Sequence, residues 1–283
     1  MSQPFTIRTM TREELDFGVE LARQEGWNPG LHDADPFYAA DPNGYFIGYL
    51  GDKPIGCVSA VSYHGIFGFM GFYIVLPEYR DQGYGMQLFH HGTDYLKGQK
   101  VGGDGVIERL EDYSREGLNL AYRNHRFEYT PQNIQAEDRE EIVSVSRIPF
   151  QMVLTYDSEC FPTERRRFLE KWLEMPDSHA LGFFDDARLQ GYGVLRKCYH
   201  GYKFGPLFAD NAEIAEALFR NLCSYVEPGE PVYLDVPGVN VPGMELAARY
   251  GMTEVFATGR IYTGTPPDIA LEKVFGVTSF ELG

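Results

Sequence analysis

Between Tyr73 and Met86 the chain reads Tyr-Ile-Val-Leu-Pro-Glu-Tyr-Arg-Asp-Gln-Gly-Tyr-Gly-Met. An apolar, β-branched run enters a turn at Pro77, and Arg80, Gly83 and Gly85 then stand directly before a helical pattern. Glycines at a helix start let a ligand come close to the backbone. The unpaired N–H groups of the first turn, at the positive end of the helix dipole, make a cradle for an anion. With the positive charge of Arg80, the chemistry indicated is the binding of a diphosphate. No Lys-Ser/Thr pair follows the glycines, as a Walker loop requires, and GxGxxG is absent here, which removes the dinucleotide fingerprint. A Gly-x-Gly alone also serves as a tight turn. The preceding strand, Pro77 and Arg80 together narrow the reading.

At these residues the sequence resembles the GNAT superfamily of acetyltransferases, whose Arg/Gln-x-x-Gly-x-Gly/Ala signature is matched by Arg80-Asp81-Gln82-Gly83-Tyr84-Gly85. The element order extends the resemblance over roughly the first half of the chain, and the second half resembles the degenerate domain of tandem members. The resemblance implies acetyl-CoA as co-substrate and direct transfer of acetyl to a primary amine in a ternary complex. It implies a pyrophosphate held by backbone amides around Gln82, Gly83, Tyr84, Gly85 and Met86. It also implies a pantetheine arm bonded to the backbone of Tyr73, Ile74 and Val75. The family's catalytic tyrosine, four residues before a glycine, falls on Tyr113 ahead of Gly117 and Leu118, as the acid for the departing thiolate. A second alignment through Tyr122 and Phe127 puts Arg126 where the glycine belongs. Many relatives carry a carboxylate base on the central strand, but Phe67 to Leu76 contains none. Asp33, Asp35, Asp104, Glu108 and His64 stay open for that role.

The acceptor in this family lies against the segment after the first helix, here Gly26 to Tyr38. Trp27 could flank an amine there, and Asp33 and Asp35 could hold its charge. The alternative for this stretch is an ordered loop whose aromatics plug a core edge.

These residues need a scaffold, and the patterning supplies one. A strand over Phe5–Thr9 precedes a helix from Arg12 to Glu25, opened by the capping box Thr11-Arg-Glu-Glu14. Strands at Tyr45–Leu50, Cys57–Tyr63 and Phe67–Leu76, joined by short polar turns, form a meander. A helix from Met86 to Lys97, a strand at Val101–Val106, a helix from Glu108 to Glu116 and a strand over Leu118–Tyr129 complete the first unit. In the second half Leu181–Phe184 and Gln190–Arg196 make a hairpin. A helix begins at Asn211, Val232–Val236 is a strand, Val241–Tyr250 a helix and Thr253–Thr263 a strand. Gly117-Leu118 followed by Arg126-Phe127 repeats as Gly251-Met252 followed by Arg260-Ile261. Each pair is preceded by a short strand carrying an aspartate, Asp104 or Asp235. The expectation is a mixed α/β fold of two tandem units, residues 1–138 and 139–283, divided in the acidic run Gln135 to Glu141. The second unit has Ala209-Asp210-Asn211 where the first has its cradle, and Ala247 where the first has Tyr113. One cofactor per chain is therefore expected, with the second unit completing the first unit's pocket, burying its edge or binding a regulator.

Bulk properties agree with an enzyme acting on a small amine. The chain has 283 residues, is 43% hydrophobic, and carries a formal net charge of −16. That charge repels nucleic acid and anionic membranes and attracts cationic ligands. Cys57, Cys160, Cys198 and Cys223 show neither CxxC nor zinc spacing, so no metal is expected. The N-terminal stretch lacks a signal-peptide core and no run approaches membrane-spanning length, so a cytoplasmic setting is expected. The family is also compatible with a homodimer. Acetylation of a protein or peptide, and a non-catalytic acyl-CoA sensor, are the competing functions.

Overall fold

The computed structural model describes residues 3–132, 134 and 136–283. Gln135, where the acidic run begins, and Met1 and Ser2 of the N-terminal stretch lie outside the described residues. The first half contains β1 (Phe5–Thr9), α1 (Arg12–Gln24), α2 (Ala34–Ala40), β2 (Tyr45–Leu50), β3 (Lys53–Tyr63) and β4 (Phe67–Val75). It continues through α3 (Tyr84–Tyr95), β5 (Lys100–Val106), α4 (Leu110–Arg115) and β6 (Leu118–Tyr129). The second half contains β7 (Ile142–Ser144), α5 (Phe150–Cys160), α6 (Arg166–Trp172), β8 (Ser178–Asp185), β9 (Arg188–Lys197) and β10 (Tyr202–Ala209). It ends with α7 (Ala212–Cys223), β11 (Val232–Pro237), α8 (Val241–Arg249), β12 (Thr253–Thr263) and β13 (Val274–Gly276).

Local chemistry sets the helix ends. At α1 the Thr11 hydroxyl accepts from the Glu14 N–H at 3.3 Å while the Glu14 carboxylate accepts from the Thr11 N–H at 2.9 Å, so two orphan donors are satisfied reciprocally. The segment after α1, read above as an acceptor-binding stretch or an ordered loop, contains the seven-residue α2. Its Phe37 is fully buried and stacks 5.9 Å from Trp172 of α6. Burying a side chain of this size stabilises by about 1.5–3 kcal/mol, here across the junction of the halves.

The strands form one mixed sheet in the order β1-β2-β3-β4-β5-β12-β6-β11-β10-β9-β8-β7, with β13 pairing β10. Strand pairing therefore crosses the division at 138/139. The last strand of the second half, β12, inserts between β5 and β6, and β6 pairs with β11 of the second half. The repeated Asp and Arg explain the exchange. Register puts Arg260 opposite Asp104 and Arg126 opposite Asp235. Arg126 reaches both oxygens of Asp235 at 2.6 and 2.7 Å, and Arg260 reaches both of Asp104 at 3.0 and 2.8 Å. All four side chains are buried. A buried charge without its partner is strongly penalised, and the strand register gives each repeat's arginine the other repeat's aspartate as that partner. The internal repeat is thus wired crosswise.

Candidate active site

β4 and β5 run parallel only from Phe67↔Lys100 to Met70↔Gly103, and then separate. At the parting, Phe72 has a positive φ of 43° and the β3–β4 register shifts, a bulge that turns the strand. Beyond it, the edge of β4 formed by Tyr73, Ile74 and Val75 has no strand beside it among the described residues and lines a cavity of about 600 Å³. An unpaired strand edge offers backbone donors and acceptors to an extended ligand.

One end of the cavity is the start of α3. Gly83 is the N-cap with φ 83°, a left-handed conformation that glycine adopts without steric cost, and a side chain added there would project into open space. The first intrahelical bond of α3 is donated by Gln87 to Gly83. The N–H groups of Tyr84, Gly85 and Met86 thus have no acceptor within the helix. Arg80 donates through Nε to the Val75 carbonyl at 2.8 Å and pairs with Glu25, so it clamps the strand end to the loop. The Gln82 side chain donates to the Glu78 carbonyl at 3.0 Å, and the Tyr84 ring packs 4.8 Å from Phe5. These two side chains point away from the cavity, leaving their backbones as the parts that could contact a phosphate. Asp81, Gly83, Gly85 and Met86 line it. Arg109 and Arg115, both held by Asp112 at 3.1 and 2.8 Å, line it as well. Sequence reasoning did not single out these two arginines, because only the fold of α4 brings them beside the cradle.

Tyr113 stands in the cavity wall. Its ring lies against Gly105, where a β-carbon would come within 2.6 Å of it, and 6.3 Å from Phe89. Burial, aided by nearby Tyr73, pushes the Tyr113 phenol up to about 12, so it is protonated at neutral pH, the form an acid requires. Tyr122 lies in the sheet interior beside Arg260 and Tyr262, away from the cavity.

The far end of the cavity is lined by Trp27, Phe256, Thr258, Phe280 and Glu281, most of them from the second half. Trp27 is at this end, but the two aspartates expected beside it are not. Asp33 is buried, accepting from Arg196 Nε at 2.8 Å and from the Gly30 N–H at 2.8 Å, so it ties the loop to β9. Asp35 is exposed on α2 and pairs with Arg12. Neither lines the cavity. Of the remaining carboxylates considered as base, Glu108 is exposed outside the cavity, and Asp104 lines it with both oxygens engaged by Arg260, Asn124 and Thr258. His64 borders a separate, smaller cavity near Arg165.

The equivalent place in the second half is closed. The Asn211 side chain accepts the Ile214 N–H at 3.0 Å, and Asp210, held by Lys273 at 3.0 Å, sits at the helix start. The gap between β10 and β11, which pair only at Tyr202↔Val232 and Lys203↔Tyr233, is filled by β13 bonding to Leu207 and Phe208. The chain itself thus occupies the slot that stays open beside β4. Among the described residues no helix is long and apolar enough to cross a membrane, and no group of His, Cys, Asp and Glu is placed to hold a metal ion.

Comparison with known proteins agrees with this geometry. The acetyltransferase (GNAT) family model matches residues 10–117, and an acetyltransferase (GNAT) domain model matches residues 153–276. The chain is 28% identical to the holothin acyltransferase of Pseudoalteromonas sp. strain SANK 73390, over 99% of this chain and 95% of that one. A structure from Pyrococcus horikoshii assigned as an acetyltransferase superposes with a TM-score of 0.83 at 21% identity, covering 100% of this chain and 97% of the other. A tandem GNAT protein from the clavulanic acid biosynthesis pathway gives a TM-score of 0.63 at 12% identity, covering 93% of this chain and 100% of the other. With one such model on each half and the fold of tandem relatives along its length, the chain belongs to the GNAT superfamily of acyltransferases as a tandem member.

Proposed function

We propose that the chain transfers acetyl from acetyl-CoA to a primary amine on a small molecule, by direct attack in a ternary complex. The observation that carries this reading is one continuous cavity. It runs from the free N–H groups of Tyr84 to Met86, along the unpaired edge of β4 past Tyr113, to the aromatic end at Trp27, Phe256 and Phe280. The cradle suits a pyrophosphate and the strand edge suits a pantetheine arm. The aromatic end suits an acceptor with a flat or apolar body. Because that end is walled by both halves, a small acceptor fits it better than a peptide. The holothin acyltransferase relative makes holothin the first acceptor to try. Free, buried cysteines support a reducing, cytoplasmic setting.

In this mechanism the α3 amides and Arg109 and Arg115 bind phosphate, the β4 backbone aligns the thioester, and the Tyr113 phenol gives its proton to the sulfur as the C–S bond breaks. The test is thiol release from acetyl-CoA with holothin and a panel of small aromatic amines, together with calorimetry. Turnover and one acetyl-CoA per chain are expected. Binding without turnover of any amine favours the sensor reading, and a stoichiometry of two contradicts the closed second site.

A further inference from the structure

After β13 the chain passes from the second half's filled slot to the first half's open one. The Val277 N–H donates to the Asp235 carbonyl at 2.9 Å. Arg165 donates to the Thr278 hydroxyl at 2.7 Å and to the Gly283 carbonyl at 3.2 Å, and the Tyr63 hydroxyl donates to the Leu282 carbonyl at 3.3 Å. The segment is fixed at both ends, and Glu281 between them lies against Gly71, where β4 leaves β5. A β-carbon on Gly71 would stand 2.3 Å from the Glu281 carbonyl oxygen and 3.0 Å from its Cα.

Glu281 is 3% exposed and lines the cavity, and its Oε1 is buried with no hydrogen-bond partner among the described residues. The charged groups facing it are Lys203 on β10, Arg126 on β6, Arg196 on β9 and Asp33 before α2. Each of the three cations has a principal partner other than Glu281, although Arg196 Nη1 is itself without a hydrogen-bond partner among the described residues. Arg126 holds Asp235, Arg196 holds Asp33, and Lys203 donates to the carbonyls of Trp27 and Asn28 at 3.2 and 2.8 Å. Asp104, the other carboxylate at this end, is held by Arg260, Asn124 and Thr258. A buried carboxyl with an idle oxygen is costly to keep, and such groups concentrate where chemistry uses them.

We propose that Glu281 is the general base, taking the proton from the acceptor amine as its nitrogen attacks the thioester. The inference rests on the acyltransfer reading above. The new N–C bond forms, the C–S bond breaks, and the amine proton passes to the Glu281 carboxyl while the sulfur takes the Tyr113 proton. Exchange with water returns both side chains to their starting states, so the net products are amide and CoA thiol. The proposal explains how β4 manages without a carboxylate of its own: the second half lends one from across the splay. Burial raises the Glu281 pKa, which brings the carboxyl nearer to the working pH of a base.

Glu281→Gln and Glu281→Asp test this, with acetyl-CoA as donor and holothin or the best amine of the panel as acceptor. Glu281→Gln is expected to lower kcat/KM for the acceptor by about 10²-fold or more at neutral pH. The deficit narrows as pH rises and the amine deprotonates unaided. Glu281→Asp keeps part of the activity, and acetyl-CoA affinity by calorimetry stays as in the wild type. A second readout needs no acceptor. The folded chain holds this proton more tightly than the unfolded chain does, so wild-type stability falls as pH rises above the ordinary carboxylate range. Glu281→Gln should therefore gain in Tm relative to wild type between pH 5 and pH 8. Wild-type activity in Glu281→Gln at every pH, or a Tm difference that does not change with pH, overturns the role. A wild type silent with every amine removes the acyltransfer reading and this role with it.

Discussion

Arg260→Met isolates what the crosswise pairing contributes. Arg260 supplies two of the donors on Asp104, at 3.0 and 2.8 Å, and the others are neutral, from Asn124 at 2.8 Å and Thr258 at 3.3 Å. Those neutral donors both meet Oδ1, so removing Arg260 strips Oδ2 and leaves a buried anion without a counter-charge. Methionine keeps the stem that packs near Phe69, so lost volume contributes little. Breaking a buried pair from one side costs about 3–5 kcal/mol. The partner variant Asp104→Leu/Arg260→Met removes both charges and leaves chiefly the buried Asn124 amide unsatisfied, at about 1–3 kcal/mol. The double variant should therefore be more stable than Arg260→Met alone, with a coupling energy of about 2 kcal/mol or more. Equilibrium urea unfolding measures it as a shift in midpoint at constant slope. If the double variant is as unstable as the sum of its single variants, Arg260 acts by packing and the repeated charges do not hold the exchange.

Two further outcomes follow from the cavity. Tyr113→Phe should lower kcat by about 10²- to 10⁴-fold with acetyl-CoA affinity kept, because only the proton donor is lost. Tyr122→Phe should leave kcat nearly unchanged, and the reverse ranking in steady-state assays moves the acid to Tyr122. Gly83→Asp should abolish acetyl-CoA binding in calorimetry while far-UV circular dichroism stays native. Its side chain has open space but needs the left-handed backbone, at about 1–2 kcal/mol, and it sets a negative charge beside the anion cradle.

The residues that announce themselves in the sequence are those whose function depends on local backbone. The run from Tyr73 to Gly85 encodes strand, turn and helix start within a few residues of one another, so its chemistry is readable without tertiary contacts. The capping box at Thr11, the hairpin after Leu181 and the paired Gly-Arg repeats are legible for the same reason. Asp33 misled because composition places it in a polar loop, whereas Arg196, far away in sequence, draws it into the interior. The crosswise strands were hidden too: the Asp and Arg repeats are visible in the sequence, but either arginine could have served its own half. The registers of β12 on β5 and of β11 on β6 decide the partner, and burial makes that pairing necessary. Glu281 had no local signal, since a single acidic residue after a short apolar run looks like any surface carboxylate. Only packing of its backbone against Gly71, where β4 and β5 part, brings it to the cavity end that the sequence left without a base.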